Sequence, residues 1–340
     1  MNIKKFLKIV EKNWLAICSM TLILCIFILG REFYLPLNPG PAKTVVFVVQ
    51  KGDGAKEISI ELKKEGLIEH SSMFRIYSLL LGVSKKLQSG RYELSSDMSV
   101  STIVDMFASG DIIKEKLTII EGWDLKDIAQ YFEDKGVSSK SEFLNLAKKD
   151  FSKEFNFLND KPKDLDLEGY IFPDTYEIIP PADAEDILRS VLTNFGNKLT
   201  PDLRQEIDRQ KKSIFEIITM ASLIEKEVIT LDDKKIVSGI LWKRLDIGMP
   251  LQIDATITYI TGKNNTAVSM EDIQIDSPYN TYKYYGLPLG PISNPGSDSI
   301  VAAIYPVESD YFFYLSTPEG ETIFSKTLKE HNQARTKYLR

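Results

Sequence analysis

The chain is poor in the residues that usually carry metal, redox and triad chemistry. Its 340 residues include two cysteines and two histidines. Both cysteines, Cys18 and Cys25, lie inside one apolar run near the N-terminus. The remainder therefore has no disulfide framework and no zinc–thiolate site. With only His70 and His331 available, a His-rich metal centre or a histidine-based nucleophile triad has little to build on. No metal and no organic cofactor is expected. Basic charge is also short: 42 Lys and Arg stand against 48 Asp and Glu, a net charge of -6. Residues 1–30 carry Lys4, Lys5, Lys8 and Lys12 against Glu11, a local +3, so residues 31–340 carry -9. An acidic body repels phosphate backbones, which argues against a nucleic-acid partner.

What the chain does have is enough apolar material for a core, at 43% hydrophobic and 26% charged residues. The length suits two or three domains of about 100–200 residues each. The run WLAICSMTLILCIFIL, 14–29, holds 16 residues without a charge. That is slightly short of the roughly 20 needed to span hydrocarbon. Asn13, Gly30 and the aromatic pair Phe33-Tyr34 extend it into the interface. Four lysines precede it, while Arg31 and Glu32 after it cancel. That bias places the N-terminus in the cytoplasm and the bulk of the chain outside. A cleaved signal peptide is the rival reading, with an apolar stretch of about 7–15 residues and a small-residue cleavage site. The following GREFYLP supplies no such site. The expected order is a cytoplasmic tail, 1–12, a membrane anchor, 13–35, and a Pro/Gly-rich linker, PLNPGPAK, 36–43.

Beyond the linker the pattern becomes mixed α+β. TVVFVVQ, 44–50, is a β-branched run suited to a strand. Gly52-Asp53-Gly54 turns it into the helical AKEISIELKKEG. The same grammar recurs in KLTIIEGWDLKDIAQYFEDKG, 116–136. At a constant offset of seventy, Gly52 matches Gly122, Lys56 matches Lys126, Ile58 matches Ile128 and Gly66 matches Gly136. Two related β-α units, or two independent uses of a common turn-and-helix design, account for this equally. Between them, GRYELSSDMSVSTIVDMFASG reads as a short strand, a Ser cap, a helix and a closing Gly. Residues 140–165 are polar and helical in character. Asp183–Gly196 and Asp202–Gln210 read as surface helices.

The chemistry gathers after Ser213. SIFEIITMASLIEKEVI, 213–229, reads as a largely buried helix. Glu225 has Ile218, Ala221, Ser222, Val228 and Ile229 at helical spacing. Such a carboxylate loses hydration, which raises its pKa and suits it to general acid work. Glu227 has equally apolar neighbours, Leu223, Ile224 and Leu231, so periodicity leaves the two tied. Either could instead pair with Lys226 or Lys243 and merely solvate the helix end. In MPLQIDATITYITG, Gln252 and Asp254 are alternate residues, which share one face if the segment is extended. They could bind a sugar hydroxyl or N-acetyl group, or be solvated polar residues at a strand end. SPYNTYKYYGLPLGPISNPGSDSI, 277–300, is rigid and tyrosine-rich. Its rings could stack on sugar faces and Asn280 could bond an amide, or the loop could simply pack on the core. Ser297 and Asp298 read as caps of the helix DSIVAAIY. YFFYLS and ETIFS read as a hairpin before a last helix that carries His331.

Five segments, in order, carry a resemblance: LEGYIFPDTY (167–176), MASLIEKE (220–227), KRLDIGMPLQIDAT (243–256), SPYNTYKYYGLPLGPISNPG (277–296) and FSKTLKEHNQA (324–334). Together they resemble the endolytic murein transglycosylase family, also called YceG-like, over about 43–340. Ala255 and Leu289 stand where that family commonly has Pro. The resemblance implies a LysM-like βα module, 44–115, and a larger mixed α+β catalytic domain, 116–340. It implies cleavage of the MurNAc–GlcNAc bond within nascent peptidoglycan strands, leaving 1,6-anhydro-MurNAc ends and stopping elongation. It also breaks the tie: the first glutamate of Glu-Lys-Glu, here Glu225, is the family's essential one. Gln252, Asp254, Asn280, Tyr282 and Ser222 are the expected substrate contacts. The implied partners are glycan strands, the cell membrane through a single helix, and peptidoglycan synthases. A lysozyme-type hydrolase using Asp254 or Glu227 as second carboxylate, and a non-catalytic wall-binding scaffold, are the competing functions.

Overall fold

A computed structural model describes residues 3–37, 44–179, 183–263 and 268–339. The proposed linker, 36–43, falls for the most part outside them. The chain divides into two compact units, Met1–Glu115 with Glu177–Pro180, and Lys116–Tyr176 with Pro181–Arg340.

In the first unit, α1 (Ile3–Tyr34) precedes β1 (Thr44–Val49), α2 (Ala55–Lys64), α3 (Ser71–Leu80), β2 (Gly90–Ser95) and α4 (Val100–Ser109). β1 and β2 pair antiparallel, from Thr44 opposite Ser95 to Val49 opposite Gly90. Alternation along β1 turns Phe47 and Val49 inward while Val46 and Val48 face solvent, the period of two that a half-buried strand needs. The core closes around Phe107, whose ring lies 4.5 Å from that of Tyr92 and 5.8 Å from that of Phe47. Ser99 caps α4 by accepting from Thr102 N, and Gly110 ends it in the left-handed conformation. Phe33, at the end of α1, joins this core against Tyr77 at 4.9 Å. Farther back on α1, Met20, Leu22, Ile23, Leu24, Ile26 and Phe27 are exposed. Among the described residues no helix is long and apolar enough to cross a membrane.

The second unit starts along β3 (Glu115–Thr118) and continues through α5 (Leu125–Asp134), α6 (Lys140–Leu146) and β4 (Thr175–Ile178), which pairs with β3. α5 opens and closes seventy positions after α2, so the recurring turn-and-helix grammar is real at the level of the backbone. The segment after α6 departs from the helical expectation. It is a short 3₁₀ turn and irregular loop, where Pro162 and a run of Asp and Lys offer no apolar stripe.

The helical body follows: α7 (Ala184–Lys198), α8 (Pro201–Arg209), α9 (Ile214–Glu225), α10 (Leu231–Asp246), α11 (Asp254–Thr261) and α12 (Ser297–Ile304). α9 is apolar all round and fully enclosed from Ile217 to Ile224, packed on α10 and α12. A hairpin of β5 (Phe313–Ser316) and β6 (Thr322–Ser325) leads to α13 (Leu328–Tyr338).

Two local expectations are corrected here. α9 ends at Glu225, so Glu227 lies beyond the helix and shares no face with it. The Gln252–Asp254 segment is not extended: Gln252 has φ 53° and Asp254 opens α11. The chain turns at the glutamine, and the shared-face argument for the pair does not apply.

Candidate active site

Glu225 is delivered by the end of the buried helix α9, and its carboxylate meets donors from two other helices. Lys234, in the first turns of α10, places its Nζ 3.3 Å from both carboxylate oxygens. Oε2 also accepts from the backbone N–H of Gly296 at 3.0 Å and from the Ser299 hydroxyl at 2.6 Å. Both partners of the ion pair are nearly enclosed, at 8% side-chain exposure for Glu225 and 4% for Lys234. The apolar pocket expected from helical spacing is therefore only half of its surroundings. Ile218 and Ala221 bury the stem of α9, but the oxygens face charge-assisted donors.

The same contacts overturn the capping assignment for α12. Gly296 is its N-cap residue and receives no side-chain cap. The unpaired N–H at the start of α12 is turned on Glu225 instead, where the helix dipole also favours negative charge. Ser299, in the first turn, contributes its hydroxyl to the same oxygen.

Loops hold this arrangement in place through Asn294. Its Oδ1 accepts from Ile171 N at 2.8 Å, and its Nδ2 donates to Trp123 O at 3.0 Å and Glu168 Oε1 at 2.9 Å. Its backbone exchanges two further bonds with Gly122 and Trp123. Glu168 is fully buried, accepts from Leu125 N at 3.0 Å, and is held well above the usual carboxyl range by that burial. The LEGYIFPD loop, the Glu-Gly-Trp turn and the SNPG loop are thereby one hydrogen-bonded body beneath α12.

Of the expected substrate contacts, the structure brings two together and encloses two. The Tyr282 hydroxyl donates to Asp254 Oδ1. Asp254 is exposed and Tyr282 half-buried, so the pair stands at a surface. Gln252 is exposed nearby, with its N–H donated to Thr281 O at 3.1 Å. Ser222 is fully buried and spent: its hydroxyl donates to Thr219 O and accepts from Ile292 N. Asn280 is also fully buried, with its Nδ2 on Ile273 O and Ile275 O and its Oδ1 on Tyr282 N. Both organise the tyrosine-rich loop from within. Asp254 and Tyr282 face Glu227, which burial raises to about 7 and which bonds Tyr314 of the hairpin. Neither of the lysines considered for pairing serves a glutamate. Lys226 donates to Gly122 O and Lys243 to Ser309 O.

Sequence reasoning missed Lys234, Gly296 and Ser299. The nearest signal was the Pro-Gly-Ser start of a helix, which announces a free N-terminus able to receive an anion. Nothing local announced that Glu225 would be that anion.

Fold and site together define a mixed α+β enzyme with a nearly enclosed glutamate held at a helix N-terminus. A model of the YceG-like family matches residues 47–337, and the chain belongs to that family. It is 35% identical over 325 residues to the endolytic murein transglycosylase of Bacillus subtilis strain 168, covering 92% of this chain and 90% of that protein. The endolytic murein transglycosylase of Streptococcus pneumoniae serotype 2 strain D39 is 29% identical over 327 residues. That match covers 88% of this chain and 59% of the longer pneumococcal protein. Among solved structures, a YceG-like protein of Listeria monocytogenes superposes with a TM-score of 0.59 at 33% identity, covering 86% of this chain and 99% of that one.

Proposed function

We propose that this chain is an endolytic lytic transglycosylase, which cleaves the MurNAc–GlcNAc bond inside peptidoglycan glycan strands and leaves 1,6-anhydro-MurNAc ends. Cleavage within a nascent strand ends its elongation. The observation that carries this reading is Glu225, a nearly enclosed glutamate fixed by Lys234, Gly296 N–H and Ser299 in a chain that belongs to the YceG-like family. In the simplest cycle Glu225 gives a proton to the glycosidic oxygen as its bond to C1 breaks. The carboxylate left behind takes the proton of the C6 hydroxyl as that oxygen closes on C1. The nucleophile is already part of the sugar, so no second carboxylate is needed to activate water. Intramolecular attack also carries an effective molarity of roughly 10⁵ M or more.

The exposed Asp254–Tyr282 pair and Gln252 are the surface groups we assign to sugar hydroxyl and amide contacts. Along the tyrosine-rich loop, Asp276, Pro278, Tyr284, Tyr285, Leu287 and Leu289 line a groove of about 550 Å³. Its exposed rings suit the apolar faces of a glycan. In the first unit, the strand–helix–helix–strand order of β1, α2, α3 and β2 supports a LysM-like role in holding the wall. The charge-free, exposed stretch of α1 behind four lysines supports a single membrane anchor with the N-terminus in the cytoplasm. An anchored enzyme meets strands as they emerge beside the peptidoglycan synthases.

The test is Glu225→Gln. An amide of the same size should cut release of glycan fragments from purified peptidoglycan by at least about 100-fold, the usual minimum for losing a general acid. Fragment release at the wild-type rate would refute a catalytic Glu225.

A further inference from the structure

The site contains another carboxyl group that a one-glutamate cycle does not use. Glu121 follows β3, in the Glu121-Gly122 turn that leads to α5. Its carboxylate fills the space that a β-carbon on Gly296 would occupy. The backbone there has an ordinary φ of -75°, and a β-carbon would meet only the end of the flexible Glu121 side chain. Gly296 therefore seats two glutamates, with its N–H on Glu225 and its α-carbon against Glu121. That places the two carboxyls at most roughly 8 Å apart, under the limit of about 9.5 Å for paired carboxyls that cleave glycosidic bonds. The neighbouring turn is in register with this. A β-carbon on Gly122 would touch Glu225 Cγ at 3.7 Å.

The two groups differ in surroundings. Glu225 is nearly enclosed and receives three donors. Glu121 is open to solvent, where a glycan can reach it. Around Glu121 stand Glu225 on α9, Lys226 after it, Lys234 on α10 and Asp298 on α12. Desolvation of its inner edge, then the charge of Glu225, raise its pKa. Lys234 opposes them and Asp298 adds to them. Neighbouring carboxyls in environments divided this way take opposite proton-transfer roles.

We propose that Glu121 is a second catalytic carboxyl of this site, acting as the acid for the leaving sugar while Glu225 acts as the base for the C6 hydroxyl. This rests on the transglycosylase reading above and divides its two proton transfers between two groups. Glu121 gives its proton to the glycosidic oxygen as the bond from that oxygen to C1 breaks, and becomes a carboxylate. Glu225 takes the C6 hydroxyl proton as that oxygen bonds to C1, and becomes the acid form beside Lys234. No water is consumed. One proton has moved from Glu121 to Glu225, and exchange with solvent restores both.

The experiment compares two substrates for the full-length protein in detergent. One is a natural glycan oligomer. The other is a glycan ending in a MurNAc whose leaving group is dinitrophenolate, which departs without protonation. Glu121→Gln should lower kcat on the natural glycan by at least about 100-fold and remove the fall in rate at alkaline pH. On the dinitrophenyl substrate it should run near the wild-type rate. Glu225→Gln should be slow on both. Gly296→Ala keeps the N–H that serves Glu225 and displaces only the flexible tip of Glu121. It should reproduce the Glu121→Gln pattern with an unchanged unfolding midpoint. Glu121→Gln acting at the wild-type rate on the natural glycan, or losing both substrates to the same degree, overturns the proposal. Full activity of Glu225→Gln on both substrates would instead refute the reading on which it rests.

Discussion

At the scale of single residues, the decisive pair is Glu225 and Lys234. Both lie inside the protein, so their attraction must offset the loss of hydration of two charges. Removing one partner leaves the other buried and uncompensated, which costs about 3–5 kcal/mol. We predict that Lys234→Met lowers the stability of the second unit by that amount in urea unfolding, and that it also slows glycan cleavage. Glu225→Gln should cost less, because an amide still accepts from Gly296 N–H and Ser299 and leaves only the ammonium to be satisfied. A Lys234→Met protein as stable as the wild type would show that the pair is not buried as described. The residue scale also explains why the choice between Glu225 and Glu227 was not open to periodicity. Helical spacing compares two positions on one helix, and α9 stops at the first of them.

At the scale of elements, the site is an agreement among three loops and the N-terminus of α12. Asn294 is the common member, with both ends of its amide spent on groups far away in sequence. We predict that Asn294→Ala destabilises by roughly 3 kcal/mol, since the Ile171 N–H and the Glu168 carboxyl lose partners in a buried setting. Calorimetry or urea unfolding checks this, and a loss under about 1 kcal/mol would contradict it. This is also where the sequence was least legible. Helix starts were readable at the Ser cap before α4 and at Ser213, because a cap acts within three residues. The β5–β6 hairpin and the β1–β2 strands were readable from their β-branched and aromatic runs. The shell of Glu225 was not, because Gly296 and Ser299 lie more than seventy positions from it and no local rule links them. The burial of Asn280 and Ser222 was hidden for a related reason. A polar residue in a loop can face a ligand or tie the loop together, and only packing distinguishes the two uses. Gln252 shows the same limit in the backbone, since nothing in its neighbours announces a left-handed glutamine.

At the scale of the whole molecule, the chain pairs an acidic body with a basic, apolar N-terminal helix. We predict that the full-length protein sediments with membranes, and that a variant beginning at Thr44 is recovered in the soluble fraction. Recovery of that variant with the membranes would contradict an anchor confined to α1. The central claim concerns the reaction itself, and it is best tested on intact glycan strands digested in heavy-oxygen water, with mass spectrometry of the new ends. A transglycosylase built around Glu225 should give 1,6-anhydro-MurNAc ends with no heavy oxygen incorporated, and Glu225→Gln should give almost none. Reducing MurNAc ends carrying the heavy oxygen, without anhydro ends, would show that water is the nucleophile and contradict the account.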